Sequence, residues 1–269
     1  MEKENLKDKL HEAERFCVFP EAKSLVVSGD IHGDFKELVY KCCVQYGMTD
    51  TVIIVAGDCG FGFEKSGYYE NMYNRCRERL AKANNWLLFV RGNHDNPAYF
   101  NLQAIKHRRW MTLPDYSVVK ACEHTILCVG GATSIDRSYR MISKHFRFRK
   151  PDEPFAPNVY WLDEKPEFDR AKLDAINDAI DTVITHTSPS FCELNSHQGL
   201  ENWAIRDEDL MDDVKRERKV MDEILAYLRM KNHPLRYWYY GHFHQSWHCE
   251  IDGAQYNMLD CMELREVRS

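Results

Sequence analysis

The amino-acid sequence predicts a layered α/β sandwich, and three observations lead to that prediction. Short apolar runs alternate with helix-like segments through the first half of the chain, as strands and helices do in an α/β sheet. Further β-like runs with no helix between them appear in both halves. The chain has 269 residues, of which 44% are hydrophobic, and this is enough to bury one sizeable core. We therefore expect a single domain over residues 1–269.

The elements follow one another with the spacing of an α/β fold. The alternating segments are a strand at 24–27, a helix at 34–46, a strand at 51–56, a helix at 65–84 and a strand at 86–90. The runs 116–120 and 125–129 have no helix between them, which predicts an antiparallel addition to the sheet. Segment 207–230 is charged but carries apolar residues on one side, which is typical of an amphipathic helix. The last β-like runs are 235–242, 246–251, 254–259 and 261–266, broken by turns such as Asp252-Gly253.

Two segments do not fit this alternation of strands and helices. Residues 136–161 and 187–207 lack clean periodicity and are long for loops within one compact domain. Long loops held on a rigid scaffold often carry binding or catalytic residues. We therefore interpret both segments as candidate site-building insertions.

The overall composition excludes several classes of protein. The formal net charge is −6, which gives no support to non-specific binding of nucleic acid or anionic lipid. The first residues, MEKENLKDKLHEAERF, are charged throughout, and no later apolar run approaches the ~20 residues of a membrane span. The ten cysteines are scattered without a Cys-x-x-Cys pair, which favours reduced thiols. We expect a soluble, cytoplasmic protein that does not enter membranes.

Polar side chains follow five of the predicted strands at the point where each strand ends. They are Asp30 and His32 after SLVV, Asp58 after TVIIVA, Asn93 and His94 after WLLFVR, His186 after DTVIT, and His242 and His244 after LRYWYY. Ligand sites in α/β sheets form just beyond the carboxyl ends of the strands. One Gly-Asp after a strand is more often a turn or a helix cap, but five such ends together predict a common site.

The residue types at these strand ends favour a metal centre. Without His94, they comprise two aspartates, four histidines and one asparagine, about the number needed by two divalent ions that share a carboxylate. Glycines beside them allow the backbone to approach closely. No cysteine stands in a ligand-type spacing, which argues against a structural zinc site.

The order of these motifs resembles that of the calcineurin-like metallophosphoesterase superfamily. Asp-x-His, Gly-Asp, Gly-Asn-His-Asp, a lone His and Gly-His-x-His follow one another between Asp30 and His244. The resemblance implies a four-layer α/β/β/α sandwich of two mixed β-sheets flanked by helices. The ligands that it implies for one ion are Asp30, His32 and His244. Those that it implies for the other are Asn93, His186 and His242, with Asp58 bridging both ions.

The resemblance also implies a reaction. A phosphomonoester or phosphodiester would be hydrolysed by in-line attack of a hydroxide that bridges two ions ~3.5–4 Å apart, so Asp58 is a catalytic residue as well as a ligand. His94 resembles the family's catalytic histidine, and protonation of the leaving alkoxide typically gains about 10²- to 10⁴-fold. The mixed ligand shell admits manganese, iron, zinc, cobalt or nickel, and the resemblance favours manganese or iron.

The motifs indicate a branch of the family but do not identify the substrate. GDIHGD resembles the opening motif of protein serine/threonine phosphatases and diadenosine tetraphosphatases, but GDCGFGFE and HTSPS depart from that branch. GGATSIDRSYR from Gly130 and WLDE from Trp161 are more similar to small metallophosphoesterases of bacteria and phages. Because the substrates of that branch are mostly unassigned, the resemblance does not name one.

A local basic stretch suggests one class of substrate. Residues 137–150, RSYRMISKHFRFRK, contain six Lys or Arg and no acidic residue, with aromatic residues between them. Such a stretch suits phosphate contacts with base stacking, so nucleotides or nucleic acid ends are candidate diester substrates. The alternative is a solvated loop that balances nearby acidic residues. We predict that Arg137 and Arg140, which follow the Gly130-Gly131 turn, contact the substrate.

A non-enzymatic hypothesis competes with hydrolysis. The same fold could serve as a metal-free binding scaffold, because a fold alone does not determine a function. Degraded ligand positions would indicate such a scaffold. All seven positions are intact in this sequence, which favours the enzyme.

Overall fold

Two mixed β-sheets form the centre of the structure, a computed structural model that describes residues 15–65, 67–192 and 199–268. The strands are β1 (Phe16–Phe19), β2 (Ser24–Ser28), β3 (Thr51–Val55), β4 (Trp86–Phe89), β5 (Lys106–His107), β6 (Trp110–Thr112), β7 (Ser117–Ala121), β8 (His124–Val129), β9 (Thr182–Thr185), β10 (Tyr237–Tyr240), β11 (Trp247–Ile251), β12 (Ala254–Met258) and β13 (Leu264–Glu266). The six-stranded sheet has the order β13-β2-β3-β4-β6-β5, and the seven-stranded sheet has the order β1-β7-β8-β9-β10-β12-β11.

Parallel pairing brings the ends of several strands to the same edge of each sheet. Strands β2, β3 and β4 pair in parallel in the six-stranded sheet, as do β8, β9 and β10 in the seven-stranded sheet. The predicted antiparallel addition is present as the β7-β8 pair. The predicted Asp252-Gly253 turn joins β11 to β12, and both of its residues have positive φ angles, as a tight hairpin turn requires.

Helices flank the two sheets, and the longest of them pack on the outer faces. They are α1 (Phe35–Tyr40), α2 (Tyr68–Ala83), α3 (Pro97–Asn101), α4 (Arg137–Met141), α5 (Arg170–Asp174), α6 (Leu200–Ala204) and α7 (Leu210–Met230), and a π-helical turn (Lys41–Gln45) continues α1. The amphipathic helix predicted at 207–230 is α7. None of the helices within the described ranges combines the length and apolar character that a bilayer span needs.

Three apolar layers hold the sheets and helices together. Alternate residues of β3 serve two of them, because side chains of a strand point to opposite faces. Ile53 packs under α1 and α2 with Phe35 and Leu38, whereas Ile54 packs between the sheets with Ile184. The third layer lies between the seven-stranded sheet and α7. The predicted four-layer α/β/β/α sandwich is therefore confirmed.

Some details differ from the sequence-based expectations. Strands β1, β5 and β6 were not predicted, because FCVF is short and the other two have only two and three residues. Segment 136–161 contains the short helix α4 and is otherwise irregular. Of segment 187–207, residues 193–198 lie outside the described residues, as do residues 1–14, 66 and 269 of the predicted single domain.

Candidate metal centre

All five strand ends that the sequence analysis singled out meet at one place, between the carboxyl edges of the two sheets. Three of them come from β2, β3 and β4 of one sheet, and two come from β9 and β10 of the other. The side chains gathered there are Asp30, His32, Asp58, Asn93, His94, His186, His242 and His244. We call Asn93, His186 and His242 the inner position, and Asp30, His32 and His244 the outer position, with Asp58 between them.

Two of the three side chains of the inner position are almost closed to solvent, and the third, His242, is half-buried. His186 is fully buried and Asn93 is 3% exposed. The Nε2 atom of His186 lies 3.0 Å from Asn93 Oδ1 and 3.1 Å from Asp58 Oδ1. The Nδ1 atom of His186 lies 2.8 Å from the carbonyl oxygen of Ala56. Since a carbonyl only accepts hydrogen bonds, Nδ1 carries a proton, and Nε2 is the nitrogen through which His186 would bind a metal ion.

The outer position faces solvent. The Nε2 atoms of His32 and His244 lie 3.1 Å apart, and His244 Nε2 lies 3.0 Å from Asp30 Oδ2. One ligand atom from each of Asp30, His32, Asp58 and His244 falls within a group whose members are all within 4.8 Å of one another. This arrangement is a candidate site for one metal ion.

The backbone at these ligands adopts a conformation that most residues avoid. His32, Asp58, His242 and His244 have φ angles of 44°, 45°, 70° and 49°, in the left-handed region where a side chain is strained. Such strain persists only where the surrounding structure imposes it, and it concentrates at functional sites. The fold therefore holds four ligand-type residues in strained turns around one point.

Close backbone packing fixes these turns. A Cβ atom on Gly92 would stand 2.1 Å from the Asp58 nitrogen, and one on Gly241 would stand 2.0 Å from Asp30 Oδ1. Neither position can accept a larger residue without displacing a ligand-bearing loop. Asp95 joins the same loops, because its fully buried carboxylate accepts backbone N–H groups of Cys59, Gly60, Phe61 and Gly92 at 2.8–3.0 Å.

A chain of hydrogen bonds orients the Asn93 amide. Asn93 Nδ2 donates to Ser134 Oγ at 3.0 Å, so the amide oxygen turns towards His186. Ser134 in turn contacts the carboxyl group of Glu164 at 2.6 Å through Oγ and 2.7 Å through its backbone nitrogen. Glu164 is fully buried, and burial raises its pKa to about 8. Residues that hydrogen-bond to a metal ligand in this way fix the direction of the ligand and tune its affinity for the ion.

The two imidazoles of the inner position have opposite pKa shifts, because burial of His186 is outweighed by the carboxylates of Asp58 and Asp30, which raise the pKa of His186 to about 10. Loss of hydration, together with the neighbouring His186, lowers the pKa of His242 to about 3. The His242 ring lies 5.0 Å from the His186 ring. A neutral imidazole is the form that binds a metal ion.

His94 lies beside the ligands and touches Arg140. Its backbone nitrogen donates to Asp58 Oδ1 at 2.7 Å, and its ring is 5.3 Å from that of His32. Arg140 Nη2 lies 2.7 Å from His94 Nε2, and Arg140 also pairs with Asp136 at 2.7 Å. Burial and the Arg140 guanidinium hold the pKa of His94 below its usual value.

The two arginines predicted to bind substrate have different surroundings. Arg140 lines the cavity above the metal centre. Arg137 is 7% exposed and does not line it, because its guanidinium pairs with Asp207 at 2.6 Å and with Asp213. The structure does not bring Arg137 to the site and gives it a structural role, so this part of the sequence prediction receives no support.

A large cavity opens directly above the metal centre. Its volume is about 820 Å³, and its polar side contains Asp58, Asn93, His94, Arg140, His242 and His244. Apolar side chains, which we call the apolar side, also line it: Ile135, Leu200, Trp203, Met211, Val214 and Phe243. Helix α7 adds the charged residues Lys215, Glu217 and Arg218 to the lining. Cavities of ~300–1,000 Å³ with apolar walls and a few polar groups are typical of small-molecule sites.

The sequence analysis missed three residues that the structure brings to the site. Ser134 and Glu164 belong to GGATS and WLDE, which were quoted as family marks without a role. Cys261 has a sulfur that forms a close group with the imidazole nitrogens of His32 and His244, all within 4.8 Å of one another. No spacing rule could have found it, since it follows β12 and lies far along the chain from His32.

Comparison with known proteins agrees with the motifs. The family model described as calcineurin-like phosphoesterase matches residues 23–246, and members of this family generally bind divalent metal ions. Similar solved structures include TT1561 of Thermus thermophilus, which is 14% identical with a TM-score of 0.47, the match covering 91% of this chain and 98% of that one. Another is phosphopantetheinyl hydrolase from Mycobacterium tuberculosis, 14% identical with a TM-score of 0.42 and coverage of 91% and 96%.

A search of curated proteins gave no match. The assignment to a family therefore depends on the family model, which covers most of the chain and all the ligand-type strand ends between Asp30 and His244. The chain belongs to the calcineurin-like phosphoesterase family.

Proposed function

We propose that this protein is a phosphoesterase that uses two divalent metal ions, one at the outer and one at the inner position, with Asp58 shared between them. The observation that carries the proposal is the convergence of seven nitrogen and oxygen donors from five strand ends. The donors fit divalent ions such as manganese, iron, zinc, cobalt or nickel, because the set combines imidazoles with carboxylates and an amide. Ions bound there would activate water and stabilise charge on the phosphoryl oxygens.

The protein supplies an aligned frame for this chemistry. Asp58 is held by the backbone N–H of His94, so its carboxylate is fixed between the inner and outer positions. Ser134 and Ala56 direct Asn93 and His186 inwards. Because these groups are placed before a substrate binds, little reorganisation is needed at the reacting phosphorus.

We assign His94 and Arg140 to the leaving-group side of the reaction. A guanidinium only donates hydrogen bonds, so His94 Nε2 is an acceptor while Arg140 contacts it at 2.7 Å. A bound phosphoryl group would give Arg140 an anionic partner, and bidentate arginine–phosphate contacts are stronger than a contact with a neutral imidazole. Release of Nε2 by Arg140 would then allow His94 to carry a proton for the departing alkoxide.

The cavity favours an organic phosphoester with an apolar or aromatic group. Its polar side would hold the phosphoryl group, and Trp203 and Phe243 on the apolar side would pack against the organic part. A substrate without such a group would leave this wall uncovered. Nucleotides belong to the favoured class through their flat bases, and so do aryl phosphates.

The basic stretch 137–150 gives less support to long nucleic acids than its sequence suggests. Arg137 and Arg140 pair with acidic residues, and Arg149 pairs with Asp163 at 2.5 Å. Arg147 donates to backbone carbonyls of Lys144 and Phe146. Most of this positive charge is therefore neutralised or engaged within the chain, as in the alternative interpretation of a loop that balances nearby acidic residues.

The proposal is tested by hydrolysis assays on chelator-treated protein to which Mn²⁺ is restored. We expect metal-dependent turnover of p-nitrophenyl phosphate or of bis-p-nitrophenyl phosphate, and the ratio of the two rates separates monoesterase from diesterase activity. His94→Ala should lose the most rate on esters with poor leaving groups. A protein that binds metal ions but hydrolyses neither ester, nor any aryl or nucleotide ester, would favour the binding scaffold.

The substrate class is tested by comparing KM values for 1-naphthyl phosphate and glycerol 3-phosphate. Trp203→Ala should raise KM for the naphthyl ester and leave that for the glycerol ester almost unchanged. Ile142→Ala is the matched control, because Ile142 is 81% exposed and does not line the cavity. Equal effects of Trp203→Ala on both esters would contradict packing of the organic group on the apolar wall.

A further inference from the structure

A cysteine thiol stands beside the outer position. Cys261 is exposed, and its sulfur and the imidazole nitrogens of His32 and His244 form a group whose members all lie within 4.8 Å of one another. His32 and His244 also belong to the group with Asp30 and Asp58. The same two imidazoles thus belong both to the group with the carboxylates and to the group with the thiol.

The backbone holds Cys261 firmly at this place. Met262, the next residue, donates its N–H to the Asp30 carbonyl oxygen at 2.9 Å, and Gly29 donates to the Glu263 carbonyl oxygen at 2.9 Å. A Cβ atom on Gly29 would stand only 2.1 Å from the Asp260 carbonyl oxygen, so the two backbone segments are in close contact. The segment that carries the cysteine is therefore packed and hydrogen-bonded onto the loop that carries Asp30.

Side-chain bonds add to this attachment. Lys41 Nζ donates to the Met262 carbonyl oxygen at 2.6 Å, and Asp260 N donates to Glu263 Oε2 at 3.0 Å. These contacts close a tight turn around Cys261, so its thiol has little freedom beyond rotation about its own χ1 angle. The placement of the thiol is a property of the fold.

The distances suit coordination by one ion. Zinc binds imidazole nitrogen at ~2.0–2.1 Å and thiolate sulfur at ~2.3 Å, in tetrahedral geometry in its common sites. Two imidazole nitrogens on one ion stand ~2.9–3.3 Å apart for bond angles from 90° to tetrahedral, a range that includes five-coordinate ions, and the Nε2 atoms of His32 and His244 are 3.1 Å apart. The Cys261 sulfur lies within 4.8 Å of both nitrogens, in a group that could hold one metal ion.

We infer that Cys261 is a further ligand of the outer position, which binds its ion through sulfur as well as through imidazole nitrogen and carboxylate oxygen. The inference rests on the metal centre of the proposed function. On binding, the thiol releases its proton to solvent and the thiolate donates to the ion. Because thiolates are soft ligands, the outer position prefers thiophilic ions such as zinc and cobalt over manganese more strongly than the inner position does.

The test uses the full chain, freed of metal by a chelator and titrated with Co²⁺. A thiolate bound to cobalt gives a sulfur-to-metal charge-transfer band in the near ultraviolet, whereas imidazole and carboxylate ligands give only visible d–d bands. We expect the ultraviolet band in the wild type and its loss in Cys261→Ser and Cys261→Ala, with the visible bands retained. Cys249→Ser is the matched control, because Cys249 is partly exposed in β11 and should leave the band unchanged.

Measurement of Zn²⁺ and Mn²⁺ affinity by competition tests the role of Cys261 independently. We expect Cys261→Ala to weaken Zn²⁺ binding by at least about tenfold, the lower range for loss of a group that supports a metal site, and to change Mn²⁺ binding by a smaller factor. Visible bands without the ultraviolet band in the wild type would overturn the role of Cys261 and leave the metal centre intact. Absence of any cobalt binding would overturn the metal centre, and the role of Cys261 with it.

Discussion

The outer and inner positions of the metal centre use the same kinds of ligand but support them differently. His32, His244 and Cys261 at the outer position are exposed, and both imidazoles contact chiefly each other and Asp30. At the inner position, His186 and Asn93 are buried, and each has a second partner that fixes its direction.

This difference should appear as a difference in metal affinity and exchange. Ligands that are oriented by a second layer of hydrogen bonds bind a metal ion more tightly, because less order must be imposed on binding. Exposed ligands allow an ion to enter and leave through solvent. We therefore expect a firmly held inner ion and a more exchangeable outer ion.

The largest effect should come from the residue that both positions share. Asp58→Asn removes the bridging negative charge, so we expect the rate of phosphoester hydrolysis to fall by at least about 10²- to 10³-fold and the metal content to fall below that of the wild type. Hydrolysis assays combined with elemental analysis of the dialysed protein would measure both. An active variant with full metal content would contradict a shared bridging ligand.

Asp34→Asn is the matched control for this experiment. Asp34 belongs to the same GDIHGD motif, but it is exposed at the N-cap position of α1 and its side chain makes no capping hydrogen bond there. The control should retain the wild-type rate and metal content. Loss of activity in both variants would indicate that the motif is sensitive to any change of charge.

Ser134→Ala should separate the inner from the outer position. The substitution removes the hydroxyl that accepts from Asn93 Nδ2, so the amide is no longer held towards His186. We expect the affinity of one of the two ions to fall by about 10- to 100-fold and that of the other to stay unchanged, as measured by calorimetric titration of metal-free protein.

The control for Ser134→Ala is Ser143→Ala, since the Ser143 hydroxyl accepts from the backbone nitrogen of the exposed His145 and Ser143 does not line the cavity above the metal centre. That variant should bind both ions as the wild type does. Equal weakening of both ions in Ser134→Ala would remove the distinction between a supported and an unsupported position.

Metal removal by a chelator should proceed in two phases. Since the outer ligands are exposed, we expect the outer ion to leave on the order of tenfold faster than the inner ion, or more. Stopped-flow measurement with a chromogenic chelator would resolve the phases. Cys261→Ala should accelerate only the fast phase and Ser134→Ala only the slow one, whereas a single phase in all three proteins would contradict the comparison.

The sequence could predict the ligands but not what supports them. Asp30, His32 and Asp58 were found because each follows an apolar strand closely. The order of the motifs can also be read directly along the chain. The partners of Arg137 lie 70 and 76 residues away. Sequence alone could therefore not show that its guanidinium forms ion pairs with acidic side chains. Glu164 and Cys261 also reach the site only through the packing of distant segments.

The fold was predictable to a similar degree. Strands with several apolar residues, such as TVIIV and WLLF, are recognisable because burial on both faces gives a continuous apolar run. The edge strand FCVF has an exposed face, and its pairing with β7 is set by a long-range contact. Long-range pairing leaves no local period in the sequence, so such strands are missed.

The smallest effect that we predict concerns pH and the support of the inner position. Burial raises the pKa of Glu164 to about 8 from a usual value of 4.5, so the folded chain holds this proton more tightly than the unfolded chain does. The stability that Glu164 contributes is therefore fully present below pH 4.5 and is lost as the pH rises towards 8. The slope is at most about 1.4 kcal/mol per pH unit for one group.

Glu164→Gln keeps the size of the side chain and removes this titration, which makes it the direct comparison. Urea unfolding of metal-free wild type and variant between pH 5 and 8 should give a stability difference that shifts in favour of the variant as the pH rises. Glu217 is also buried, burial raises its pKa to about 7, and its charge adds to the raised pKa of Glu164, so the difference reports Glu164 together with its coupling to Glu217. Parallel curves would mean that the Glu164 carboxyl is ionised in the folded protein, and the inner position would then be supported by a charged group.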